Sequence, residues 1–187
     1  SYAPQTAEAL IETIPISGNL DHFWKDMLEL EENGEIIKTR FGTYGLPEKM
    51  GLVVGRFQLT SKGFGFVIPD NKGERPDVFI PPRALGGAMN NDRVMARVES
   101  SSGGNKPEGE IIRIITHANN KIVGIFHQSG DFGFVTPDDK RIGQDIYIMK
   151  RHFGGAKTNQ KVVAEITEWP VERRNAEGKI IEILGNV

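Results

Sequence analysis

The spacing of apolar residues changes character near Gly51. Before it, Leu20, Phe23, Trp24, Met27 and Leu28 fall at i, i+3, i+4, i+7 and i+8, the signature of one helical face. Asn19 is a suitable cap for this helix and Asn33-Gly34 a suitable stop, and Trp24 is expected in its core. A shorter helix is predicted from Ala7 to Glu12, capped by Thr6 and stopped by Pro15. Residues 35–40 alternate as a strand does, Phe41-Gly42 turns, and residues 43–46 return beside it. After Gly51 the chain reads as short strands, at 52–59, 63–69, 77–80, 94–98 and 109–115. A second set follows at 121–126, 132–136, 145–148, 161–167 and 178–184. The polar, glycine-rich stretch from Ser100 to Pro107 reads as a mobile hairpin tip rather than a linker.

The two sets of strands repeat each other at an offset of 68 residues. Phe64-Gly65-Phe66-Val67 returns as Phe132-Gly133-Phe134-Val135, and Asp77-Val78-Phe79-Ile80 as Asp145-Ile146-Tyr147-Ile148. Arg83 with Gly86-Gly87-Ala88 returns as Arg151 with Gly154-Gly155-Ala156. A duplication of this size implies one supersecondary unit used twice. Five strands with a long third-to-fourth connection, twice over, imply a mainly β protein with two tandem OB-type barrels. The expected units are 1–50, a small leading segment; 51–118, the first barrel; and 119–187, the second. No long linker separates the barrels, so they are expected to pack closely.

Strand geometry then assigns faces. Residues two apart share a face, so Phe64 and Phe66 point one way and Val67 the other. If Val67, Val78 and Ile80 fill the barrel, Phe64, Phe66 and Phe79 stand together outside it. The inverted arrangement would expose Val78 and Ile80, and their counterparts in the second copy. An outward cluster of aromatics beside basic residues suits unstacked nucleic-acid bases. Phe132, Phe134 and Tyr147 form the matching cluster, while Lys62, Arg83, Lys150 and Arg151 are the expected phosphate contacts. Gly65 is expected to let the strand curl.

Charge modifies this reading. The net charge of −2 conceals an acidic leading segment, with four Lys/Arg against nine Asp/Glu in residues 1–50. Residues 51–118 carry nine against seven and residues 119–187 ten against nine. Barrels this mildly basic must rely on stacking as well as on phosphate neutralisation. The acidic helix is a poor surface for phosphate and suits a basic protein partner better. With 22 glycines, 10 prolines and no cysteine, the composition excludes a disulfide framework and a thiolate metal site, and is compatible with the cytoplasm. No apolar run approaches the length of a membrane span. Asp138-Asp139 reads as a solvated turn, and His22, His117, His127 and His152 show no ligand or catalytic spacing.

Lys62-Gly63-Phe64-Gly65-Phe66-Val67 closely resembles the first ribonucleoprotein motif of cold-shock domains, and Asp77-Val78-Phe79-Ile80 resembles the second. Phe57 stands where those domains carry a strand-one aromatic, so the resemblance makes Phe57, and Phe126 in the second copy, extensions of the platforms. Two departures stand out. Pro81 replaces the usual histidine after the second motif, and Gly130-Asp131 replaces Lys62-Gly63, which puts negative charge near the second platform. The two helices and hairpin of the leading segment look like the latter part of a winged helix, with Lys38 and Arg40 on its wing. This order of units, with Gly45-Leu46-Pro47-Glu48-Lys49 and the Ile166-Thr167-Glu168-Trp169-Pro170 ending, resembles the N-terminal region of the ribonuclease R family of RNB exoribonucleases.

The resemblance implies a parent enzyme that degrades RNA from the 3′ end with Mg²⁺ held by an aspartate-rich motif. That motif is missing from this sequence, so the chain itself is expected to have no catalytic residues, metal or cofactor. Its expected role is to bind single-stranded RNA and guide it to the parent's catalytic domain. Stacking ignores the 2′-hydroxyl, which leaves single-stranded DNA as a further ligand. The alternatives are a stand-alone cold-shock-type RNA chaperone and an OB-fold protein-docking module.

Overall fold

The computed structural model describes residues 2–15, 20–70, 73, 75–99, 106–171 and 174–187. The expected cap at Asn19 and most of the expected hairpin tip, residues 100–105, lie outside them.

The leading segment contains β1 (Gln5–Thr6), α1 (Ala7–Thr13), α2 (Leu20–Glu32), β2 (Ile37–Lys38) and β3 (Thr43–Gly45). Thr6 caps α1 as expected, its hydroxyl accepting the Ala9 N–H at 3.2 Å. The sheet is one strand larger than the sequence suggested, because β1 pairs with β3 on the edge opposite β2. Trp24 is not core: it is 45% exposed, with Leu20 and Leu28 more exposed still, and Met27 is the buried residue of α2.

Two arginines from the first barrel tie α2 down at its C-terminal end. Arg113 donates to the Glu31 and Glu32 carbonyls at 2.7 and 2.9 Å, and Arg93 donates to the Asn33 carbonyl at 3.0 Å. These carbonyls carry the negative end of the helix dipole, which favours a guanidinium there, and the Glu31 carbonyl also accepts the Gly34 N–H at 3.1 Å. Arg113→Ala should therefore loosen α2 by about 1–2 kcal/mol. Hydrogen exchange should show faster exchange of α2 amides while the amides of the barrel keep their protection.

The first barrel closes in the order β4 (Leu52–Leu59), β5 (Gly65–Pro69), β6 (Val78–Ile80), β8 (Glu108–Thr116), β7 (Arg93–Glu99). The second repeats it with β9 (Lys121–Ser129), β10 (Phe132–Pro137), β11 (Ile146–Met149), β13 (Glu177–Asn186) and β12 (Gln160–Glu168). In each, the third and fifth strands pair in parallel, closing a five-stranded OB-type barrel with no free edge. Asn91 and Asn159 both enter the fourth strand with positive φ, a conformation asparagine tolerates better than most side chains.

The interiors follow the alternation. Val67, Val78, Ile80 and Val94 are fully or almost fully buried in one barrel, and Val135, Ile146, Ile148 and Val162 in the other. Phe57 and Phe126 join them with no exposure at all. The barrels are also packed together. Met89, from the first barrel's long connection, is buried with the second barrel's core. Buried Asp92 accepts the backbone N–H groups of Met89 and Ala118, both at 2.9 Å, and the rings of His117 and Trp169 stack at 3.6 Å. The polar bonds matter because an unpaired carboxylate this deeply buried would be costly.

Candidate nucleic-acid interface

Strand alternation sends Val67, Val78 and Ile80 inward and leaves Phe64, Phe66 and Phe79 half-buried together on the outer face of β5 and β6. Their ring centroids are 5.6–5.9 Å apart, and Phe66 sits directly opposite Phe79 in the antiparallel register. The second barrel makes a less regular version. Phe132, 40% exposed, lies nearly parallel to Tyr147 at 5.6 Å, and Phe134 lies against His127 at 5.2 Å. His127 is a platform residue that sequence reading missed. The signal was its place opposite Phe134 in the β9–β10 register, where the first barrel has Gln58 opposite Phe66.

Phe57 and Phe126 do not extend these platforms. Both rings point into the cores, because each lies on its strand at the same parity as the interior residues. They also explain the glycine between the two motif phenylalanines. A Cβ at Gly65 or Gly133 would overlap the ring of Phe57 or Phe126, so the glycine makes room for a buried ring rather than for strand curl.

The expected cations are all exposed but differ in what they face. Lys62 extends from a turn and Arg151 from the short 3-10 helix Lys150–His152. Arg83 is paired with Glu108 at 2.9 Å, and Lys150 with Asp131 at 3.3 Å. Asp131 thus sits against one of the residues expected to hold phosphate on the second barrel. Lys106, which sequence reading passed over, places its ammonium 4.9 Å from the centre of the Phe66 ring. A cleft of about 610 Å³ runs between the barrels, bordered by Gly63 and Arg83 on one side and by Gln144 and Arg174 on the other. Arg174 and Asn175 also border the hollow over Phe132, Phe134 and Tyr147.

The Asp138-Asp139 turn is occupied by cations. Asp138 pairs with Lys161 at 2.8 Å, while Asp139 accepts from the Arg141 side chain and backbone and caps the following turn. The side-chain bond from Arg141 is the main cause that holds the Asp139 carboxyl below the usual carboxylate range. Among the described residues no three acidic or histidine side chains gather as a metal site.

A model of the ribonuclease B OB domain matches residues 55–114, and one of the cold shock domain matches residues 134–187. Ribonuclease R from Thermotoga maritima is 36% identical over 85% of the chain, and that from Escherichia coli is 30% identical over 98% of it. This chain is homologous to ribonuclease R over most of its length. It spans 22% of either relative. Among solved structures, apo ribonuclease R from Mycoplasma genitalium superposes on 72% of the chain and 22% of its own length, with a TM-score of 0.64 and 19% identity. Its complex with ribose-methylated single-stranded RNA superposes equally well. Yeast Ssd1, described as a pseudonuclease, covers 74% of the chain and 23% of its own length, with a TM-score of 0.61 and 15% identity. The two matched ranges fall one in each barrel.

Proposed function

We propose that this chain is the RNA-capture region of a 3′-to-5′ exoribonuclease, holding single-stranded RNA by base stacking and guiding it to a Mg²⁺-dependent catalytic domain elsewhere in the parent protein. The observation that carries the reading is the Phe64–Phe66–Phe79 cluster, three large rings kept at the surface beside a fully packed interior. The cost of leaving such a patch in water is recovered when a base covers it. The inter-barrel cleft adjoins residues beside both platforms, which favours one strand crossing both barrels. The homologous enzymes are ribonucleases, and a structure of this fold carries single-stranded RNA. In this reading the units are 1–50, a partial winged helix; 51–118, the primary RNA barrel; and 119–187, a weaker one, acting in the cytoplasm. Single-stranded DNA is a secondary ligand, because stacking does not read the sugar.

Titration of a fluorescent unstructured oligonucleotide tests the reading. Saturable binding is expected, with little base preference and a shallow dependence on salt, and no shortening of the RNA when Mg²⁺ is added. Absence of binding would sink it. A steep salt slope would instead indicate a basic groove that dominates stacking. A second reading has an observation of its own: Leu20, Trp24 and Leu28 form an exposed stripe on the acidic helix α2, which suits a basic protein partner.

A further inference from the structure

We propose that Lys106 and Arg174, one beside each platform, are the principal cations that hold the RNA backbone over the stacked bases, in place of Arg83 and Lys150. The proposal rests on the RNA-capture reading and specifies where the phosphates lie.

The two residues occupy related places in the two barrels. Each lies just before the fifth strand, on a segment bonded to the strand that carries a platform aromatic. The Phe79 N–H donates to the Pro107 carbonyl at 2.8 Å, immediately after Lys106. The Tyr147 N–H donates to the Ala176 carbonyl at 2.9 Å, two residues after Arg174. Arg174 is further pinned by a pair of backbone bonds with Val171, at 2.9 and 3.1 Å. Main-chain bonds thus hold both segments near the platforms, while the charged ends of the two side chains stay exposed.

Their electrostatic surroundings separate them from two of the cations first expected, Arg83 and Lys150. Arg83 and Lys150 each face a carboxylate within 3.3 Å, so part of their charge is already offset where a phosphate would bind. Lys106 has no carboxylate partner among the described residues and rests over Phe66 instead. Among the described residues Arg174 pairs with Glu168 at 3.7 Å, a looser contact than a direct hydrogen bond. An ammonium over an exposed ring gains only about 0.5–1 kcal/mol, which a stacking base readily displaces. The released ammonium, on a flexible four-carbon stem, can then reach the phosphate next to that base. Arg174 borders both the hollow over Phe132, Phe134 and Tyr147 and the cleft between the barrels, and its planar fork suits bidentate phosphate contact.

The test is anisotropy titration of a fluorescent oligouridylate RNA across a range of KCl concentrations. Lys106→Gln, Arg174→Gln, Arg174→Lys, Arg83→Gln and Lys150→Gln are compared with the unaltered chain, and circular dichroism confirms each fold. Lys106→Gln and Arg174→Gln should each weaken binding several-fold at low salt. Each should also lower the slope of log affinity against log salt by about 0.7, the value for one single-strand phosphate contact. Arg174→Lys should keep the slope while losing affinity. Arg83→Gln and Lys150→Gln should change the slope less. Normal binding and slope in both Lys106→Gln and Arg174→Gln overturns this assignment but leaves RNA capture standing, as does a larger loss in Arg83→Gln or Lys150→Gln. Tighter binding by Lys106→Gln also overturns it, since Lys106 would then only be competing for the ring. Failure of the unaltered chain to bind overturns both.

Discussion

Replacing Phe64 and Phe66 together by alanine should reduce affinity for an unstructured RNA roughly thirtyfold or more while leaving the first barrel folded. The estimate follows from about 1–3 kcal/mol for each base–aromatic stack, with tenfold for every 1.4 kcal/mol. The rings, Phe66 on β5 and Phe64 just before it, sit on the outer face, and the interior is filled from the opposite face by Val67, Val78, Ile80 and the Phe57 ring, so truncation leaves no core cavity. The matched Phe132→Ala, Phe134→Ala pair should cost less, because Asp131 sits beside that platform and pairs with Lys150. Equilibrium binding on both double variants, with thermal melts alongside, checks the prediction. Unchanged affinity in a folded Phe64→Ala, Phe66→Ala protein would remove the platform from the binding site.

Phe57→Ala should have the opposite profile, a loss of about 3–5 kcal/mol in the stability of the first barrel with RNA affinity preserved in whatever fraction stays folded. Phe57 has no exposed surface and its ring occupies the space that a side chain at Gly65 would need. The same contact predicts coupling. Gly65→Ala alone should destabilise by overlap with the ring, and Phe57→Ala should relieve part of that penalty in the double variant, so the two changes will not add. Denaturant melts of the two single variants and the double variant measure this. Additive losses, or an RNA-binding defect in a stable Phe57→Ala protein, would return Phe57 to the surface role that its family position suggested.

These two phenylalanine sites show how far a one-dimensional pattern reaches. The alternation in Phe64-Gly65-Phe66-Val67 and Val78-Phe79-Ile80 was enough to orient the platform, because a strand permits two faces and only one buried all the aliphatic residues. Phe57 was misplaced because its resemblance to a platform aromatic was carried over without the same parity test. On β4 it alternates in step with Gly55 and Leu59, which are buried, not with the exposed Arg56 and Gln58. Trp24 failed for another reason. Helical spacing identifies an apolar face but not how much of it tertiary packing will cover, and here it buries Met27 while leaving Leu20, Trp24 and Leu28 exposed.

The repeat, the order of the barrel strands, the closure into two barrels and the outward aromatics were determined by the sequence alone, because each depends on local periodicity and on spacing within one unit. Only the tertiary structure decided which cations face a carboxylate and which face a ring. The Arg83–Glu108 and Lys150–Asp131 pairs join residues 25 and 19 positions apart, and Lys106 reaches Phe66 from the far end of the long β7–β8 connection. Barrel closure also set Arg174 between the inter-barrel cleft and the second platform. Coulombic partners are chosen by distance in space, and residue order carries almost none of that distance until the strands have closed.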